Sequence, residues 1–182
     1  TAGVNLTNTA GLTDTHALIA SCTIDGGTNG YTRRGVHVDS VPVEIRNSSI
    51  IGAKNTGGNP NFVSGIDITG TYPAGTVILI QDNDQIIGGD TVNPCSGCQG
   101  AAIQMAASVD SVISGNQLIR GAYLSCAATM DGLEFSQGGT HVIKGNALIE
   151  PGNGPREHQD LIRTDGPRGD TAINARPVAR RD

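Results

Sequence analysis

SVISGNQLIRG (111–121) is followed thirty residues later by HVIKGNALIEP (141–151). Both run apolar, apolar, polar, Gly, Asn, any residue, Leu, Ile. The core of the pattern occurs five times: IASCTI (19–24), IRNSSI (45–50), IQDNDQI (80–86), ISGNQL (113–118) and IKGNAL (143–148), the third copy carrying one extra residue. Ahead of each copy lies an element in which apolar and other residues alternate: GVNL (3–6), GVHV (35–38), GIDI (65–68), AAIQM (101–105) and GLEF (132–135). Their starts at Gly3, Gly35, Gly65, Ala102 and Gly132 are 32, 30, 37 and 30 residues apart. Self-similarity at such a period marks a solenoid, in which each repeat covers the apolar face of the next.

The repeat is built of strands. Helical solenoids need apolar residues at 3.6-residue spacing over ten or more positions, and here they alternate over three to five. Stacked coils place equivalent residues about 4.8 Å apart, the spacing of neighbouring strands in a sheet. The expected fold is all-β: a parallel β-helix (β-solenoid) of about five to six coils, with coils over 1–155 and a weak last coil or Arg-rich tail over 156–182. Val36, Val38, Ile66, Ile68, Ile103, Met105, Leu133 and Phe135 should face inward in columns. Ile45, Ile80, Ile113 and Ile143 should form a second column, and Ile50, Ile86, Leu118 and Leu148 a third. Cys22, Ser48, Asn83, Asn116 and Asn146 fall at a sharp bend between strands. Asn tolerates the αL backbone there and can hydrogen-bond to its equivalent one coil away, an Asn/Ser bend ladder. Gly115 and Gly145, just before the asparagines, suit a positive φ.

Composition agrees. The 182 residues include 26 Gly and no Trp, with 3% aromatic and 16% charged residues, which argues against helical bundles and coiled coils. No run approaches the roughly 20 apolar residues of a membrane helix. The net charge of −5 gives no case for nucleic acid, although 6 of the 12 Lys and Arg fall after Pro155, where a solvated basic tail is expected. The absence of an initiator Met or apolar leader at Thr1 reads as a processed chain or a fragment.

With these repeats, residues 3–150 resemble the right-handed parallel β-helices of secreted bacterial proteins, the pectin-lyase-like superfamily. The resemblance implies the right-handed coil and an extracellular setting, secreted or at the cell surface. Enzymes of that superfamily carry Asn-Thr-Asp, Asp-Asp, Gly-His-Gly and Arg-Ile-Lys motifs or clustered acids for calcium, and this chain has none of the four motifs. Fold alone therefore cannot name an activity.

Candidate site residues follow from the expected stacking. Asn5, His37, Asp67, Gln104 and Glu134 should line one outward column, with Asp39 beside His37. Alternating amides and carboxylates suit sugar hydroxyls. As an enzyme, this face would use His37, Asp39, Asp67 and Glu134. Asp67 and Glu134 would stand about 9.6 Å apart at two strand spacings, near the upper end of the separation in inverting glycosidases. Nothing in the sequence marks an apolar pocket to raise one carboxyl, and polar residues on an exposed strand face are the ordinary expectation. The long connections before each first strand should stack along one edge and bring Tyr31 and Tyr123 toward sugar rings. Among the cysteines, one disulfide is expected within Cys95, Cys98 and Cys126, with Cys22 free and buried. No cofactor and no metal are expected. The expected function is a structural or carbohydrate-binding role at a surface or in a matrix, as in an adhesin, with a polysaccharide or other surface glycan as partner. The alternatives are a polysaccharide hydrolase or lyase, and a fibre subunit that associates end to end because no polar cap is evident.

Overall fold

The computed structural model describes residues 2–8, 16–29, 34–55, 63–91, 100–124, 128–152, 156–158, 161–164 and 171–174. Three principal parallel sheets run the length of the stack. The first comprises Ala2–Thr7, Arg34–Asp39, Ser64–Thr69, Ile103–Met105, Leu133–Phe135 and Ile162–Thr164. The second comprises Ala17–Ala20, Val43–Arg46, Val77–Gln81, Asp110–Ser114, His141–Lys144 and Thr171–Asn174. The third comprises Thr23–Asp25, Ser49–Ile51, Gln85–Ile87, Ile119–Arg120 and Ile149–Glu150. The chain visits them in turn and then begins the next coil, so each strand pairs with its own repeat. This is a parallel β-solenoid, with no helix among the described residues.

Among the described residues about four coils are complete, rather than the five to six expected, and in each of these four a fourth sheet follows the third. Its strands are Thr28–Asn29, Lys54–Asn55, Asp90–Thr91 and Tyr123–Leu124. The fifth coil has strands in the first three sheets and the sixth in the first two, the latter from the segment expected to form a weak last coil or tail. The first four long connections thus open with a short strand instead of being loop throughout.

The core is filled by the columns that alternation marks. Val36, Ile66 and Ile103 pair in register with Leu133, and Val38, Ile68 and Met105 with Phe135; all eight are buried. Ile45, Ile80, Ile113 and Ile143 form the second column. The third column departs from expectation. Ile24, Ile50 and Ile86 continue into Ile119 and Ile149, not into Leu118 and Leu148. The bend takes one residue more from the third copy onward, and that extra residue moves the inward position from Leu118 to Ile119. Full burial of such a side chain stabilises the fold by about 1.5–3 kcal/mol.

The bend itself is also refined. Positive φ belongs to the residue before each ladder position: Ser21 (54°), Asn47 (48°), Asp82 (53°), Gly115 (69°) and Gly145 (63°). The ladder asparagines do not take the αL conformation. They supply side-chain bonds while their predecessors make the turn. Cys22, the first described rung, is exposed rather than buried, with its Sγ 3.1 Å from the Ala20 carbonyl.

A second bend motif separates the third and fourth sheets. It reads DGG (25–27), IGA (51–53), IGG (87–89), RGA (120–122) and EPG (150–152). A Cβ on Gly26, Gly52, Gly88 or Gly121 would lie 2.5 Å from a backbone nitrogen of the next coil. Glycine is demanded there by coil-to-coil contact, not by φ. Beyond this corner Ala53, Val63, Ala101, Ala122 and Met130 are also buried, outside the main core cluster.

Candidate functional site

Two surfaces bear on function. The first is the expected outward column on the first sheet. Asn5 pairs in register with His37, His37 with Asp67, Asp67 with Gln104, Gln104 with Glu134, and Glu134 with Arg163. The alignment is that of the sequence pattern, but the exposure is not. Asp67 is 1% exposed, Gln104 5% and Glu134 3%. Of the five column residues Asn5 is exposed and His37 is largely covered. Period-2 alternation tells which side of a sheet a side chain leaves from. It does not tell whether water or other chain lies above it.

The column is a network of contacts. Arg34 Nε lies 2.5 Å from Asp67 Oδ2, and His37 Nδ1 lies 3.0 Å from the same oxygen. Ser64 Oγ donates to Gln104 Oε1 at 3.4 Å. Asp39 stands apart, accepting a hydrogen bond from Ser40 Oγ at 2.9 Å. Asp67 is thus held by a cation and a histidine in a site closed to solvent, an arrangement that fixes strands together. An acid–base pair working on a polymer would need open access to both carboxyl groups, and here both are covered.

The second surface was not legible as a site. A groove of about 770 Å³ runs along the glycine corner between the third and fourth sheets. One wall carries Asp25, Ile51, Ile87, Arg120 and Glu150, successive partners in the third sheet. The other carries Thr28, Lys54, Asp90 and Tyr123, successive partners in the fourth. Gly52, Gly88, Gly89, Gly121 and Gly152 line the bottom. The corner explains the groove: glycine's missing side chains leave a trough between two rows of projecting ones. The charges pair along the axis, Lys54 Nζ lying 3.6 Å from Asp90 Oδ2 and Arg120 bonding Glu150. Asp25 Oδ1 accepts the Gly27 N–H at 2.7 Å. Tyr123 is 55% exposed at the rim.

Comparison with protein-family models, with curated proteins and with solved structures finds no match for this chain. Its fold therefore rests on its own repeat and geometry.

Tyr123 and the first-sheet column, both expected to contact sugar, lie on different surfaces. Tyr31, Cys95, Cys98 and Cys126 fall outside the described residues, as does the Arg-rich segment from 175 onward. Among the described residues no group of three His, Cys, Asp or Glu is arranged to hold a metal, and no helix is long and apolar enough to cross a membrane. The groove's signal in the sequence is a Gly followed by Gly or Ala after the first four third-sheet strands, a pattern invisible to hydrophobic periodicity because glycine carries no side chain.

Proposed function

We propose that this protein is an extracellular β-solenoid that binds a polysaccharide at a cell surface or in a matrix and does not cleave it. On this reading its coil is right-handed and of the pectin-lyase-like kind. The observation that carries the proposal is the contrast between the two surfaces. The column that could have held catalytic carboxylates is buried and internally bonded. The groove that is open combines carboxylates, cations, an exposed tyrosine and a floor without side chains. Sugar sites use these ingredients: planar polar groups for hydroxyls and an amphipathic ring for the carbohydrate's C–H face. The secreted setting is supported by the repeat's resemblance to secreted bacterial solenoids.

The test is a panel of neutral and acidic polysaccharides, scored for retention of the protein and for new reducing or unsaturated ends. Retention without new ends is expected. Oligosaccharide release that vanishes in Asp67→Asn or Glu134→Gln would overturn the proposal in favour of a hydrolase or lyase. No retention on any glycan would remove the binding function altogether.

A further inference from the structure

Resting on that glycan reading, we infer that the groove takes an uncharged, extended polysaccharide chain lying parallel to the solenoid axis, with one sugar unit per coil. The first argument is length. Groove residues recur once per coil, and coils repeat at about 4.8 Å. That is close to the length of one pyranose unit in an extended, equatorially linked chain. A ligand crossing the groove at right angles would meet the wall residues of about one coil, whereas an axial one meets the equivalent wall position of every coil in turn.

The second argument is charge. The groove side chains comprise three carboxylates (Asp25, Asp90, Glu150) and two cations (Lys54, Arg120), one net negative charge. Both cations are already engaged, Lys54 with Asp90 and Arg120 with Glu150. Among the described residues a polyuronate would find no free cation in the groove and a slight repulsion, while a neutral sugar can accept from and donate to these groups without separating the pairs.

The third argument is shape. Ile51 and Ile87 stand on one wall in consecutive coils, both partly exposed, and Tyr123 stands on the other. The bottom stays bare because a Cβ on Gly52 or Gly88 would run into the next coil's backbone. A sugar ring can therefore sit deep with its C–H face against apolar surface and its hydroxyls at the charged groups. All-equatorial hexopyranoses and xylose have such faces.

Titration calorimetry with cello-, xylo- and manno-oligosaccharides, from the disaccharide to the hexasaccharide, tests this against oligogalacturonides of equal length. Affinity for at least one neutral series should rise with each added sugar and level off as the chain spans the five coils that line the groove. Tyr123→Ala should weaken the longest ligand by about tenfold, and Ile87→Asp should do likewise while far-ultraviolet circular dichroism stays that of the parent. Affinity independent of length, tighter binding of oligogalacturonides, or indifference to both substitutions would overturn the axial neutral-chain inference. In those outcomes polysaccharide binding itself would stand. If no glycan in either assay is bound, the broader reading fails with it.

Discussion

Asn83 and Asn116 share one oxygen. The Asn83 side-chain N–H and its backbone N–H both donate to Asn116 Oδ1, at 2.9 and 3.1 Å. The second hydrogen of Asn83 Nδ2 goes back to the Ile45 carbonyl at 3.1 Å, and Asn83 Oδ1 accepts from the Ser48 N–H at 3.0 Å. The Asn83 amide is thus satisfied by the coils before and after it at once, in a fully buried place.

Replacing Asn116 by Ala should therefore be severe. The Asn83 amide and backbone N–H and the Ile80 carbonyl would all lose a partner. At about 1–3 kcal/mol for each buried group left unmatched, a total of about 3–5 kcal/mol is expected. Urea unfolding followed by circular dichroism measures it. Asn146→Ala, at a less buried rung, should cost less, and equal losses at the two rungs would contradict the ladder's cooperative satisfaction.

The corner glycines separate crowding from backbone strain. In Gly52→Ala the new methyl meets Gly89 N at 2.5 Å and Ser64 O at 2.6 Å, both backbone atoms that cannot swing aside. Gly75 has φ +82° with nothing within 4 Å of its would-be Cβ, so Gly75→Ala meets conformational strain alone. Losses of about 3 kcal/mol and about 1 kcal/mol respectively are expected. Comparison of thermal midpoints for the two variants checks the order.

Stability should fall with acid because of His141. Its ring is buried, stacked on Phe135 with centroids 4.1 Å apart, and Nδ1 lies 2.9 Å from Ser111 Oγ. Burial pulls its pKa below the ordinary 6.5, with Asp110 opposing only in part. The unfolded chain then binds the proton more readily than the folded one. The contribution is complete above about pH 6.5 and is lost progressively as pH falls beneath it. Urea midpoints measured between pH 7 and 5 should drop more steeply for the parent than for His141→Gln. Parallel curves would refute this origin.

Asp67 should prove structural. Asp67→Asn removes the charge that holds Arg34 and His37. The arginine retains partial solvent access, so the loss should be about 1–3 kcal/mol, below that of a fully buried pair. Glycan retention should be unchanged at a temperature where the variant is folded.

The inward columns were readable because a coil's alternation is local: GVHV, GIDI and GLEF each mark their own inside. The ladder was readable for the same reason, since Asn83, Asn116 and Asn146 keep a constant offset from the preceding isoleucine. What failed depended on contacts between distant segments. Leu118 and Ile119 are both apolar, and only the partner strand decides which turns inward. The burial of Gln104 and Glu134 depends on what covers the sheet, which alternation does not encode. The groove arises from Gly52 and Gly88, whose necessity is visible only once the next coil's backbone is in place.

The rung bonds also have a direction. Backbone N–H groups of Cys22, Ser48, Asn83 and Asn116 each donate to the side-chain oxygen one coil later, never to one coil earlier. The stack is therefore vectorial, with a donor side and an acceptor side. A coil laid beyond a rung on the carboxyl side must bring a side-chain oxygen to the bend. One laid on the amino side needs no side-chain oxygen: it offers its bend N–H and a backbone carbonyl for the next rung's amide. Coils are interchangeable in shape but not in order, and grafting or duplicating them should succeed only when the incoming bend carries Asn, Ser or another oxygen-bearing residue facing its predecessor.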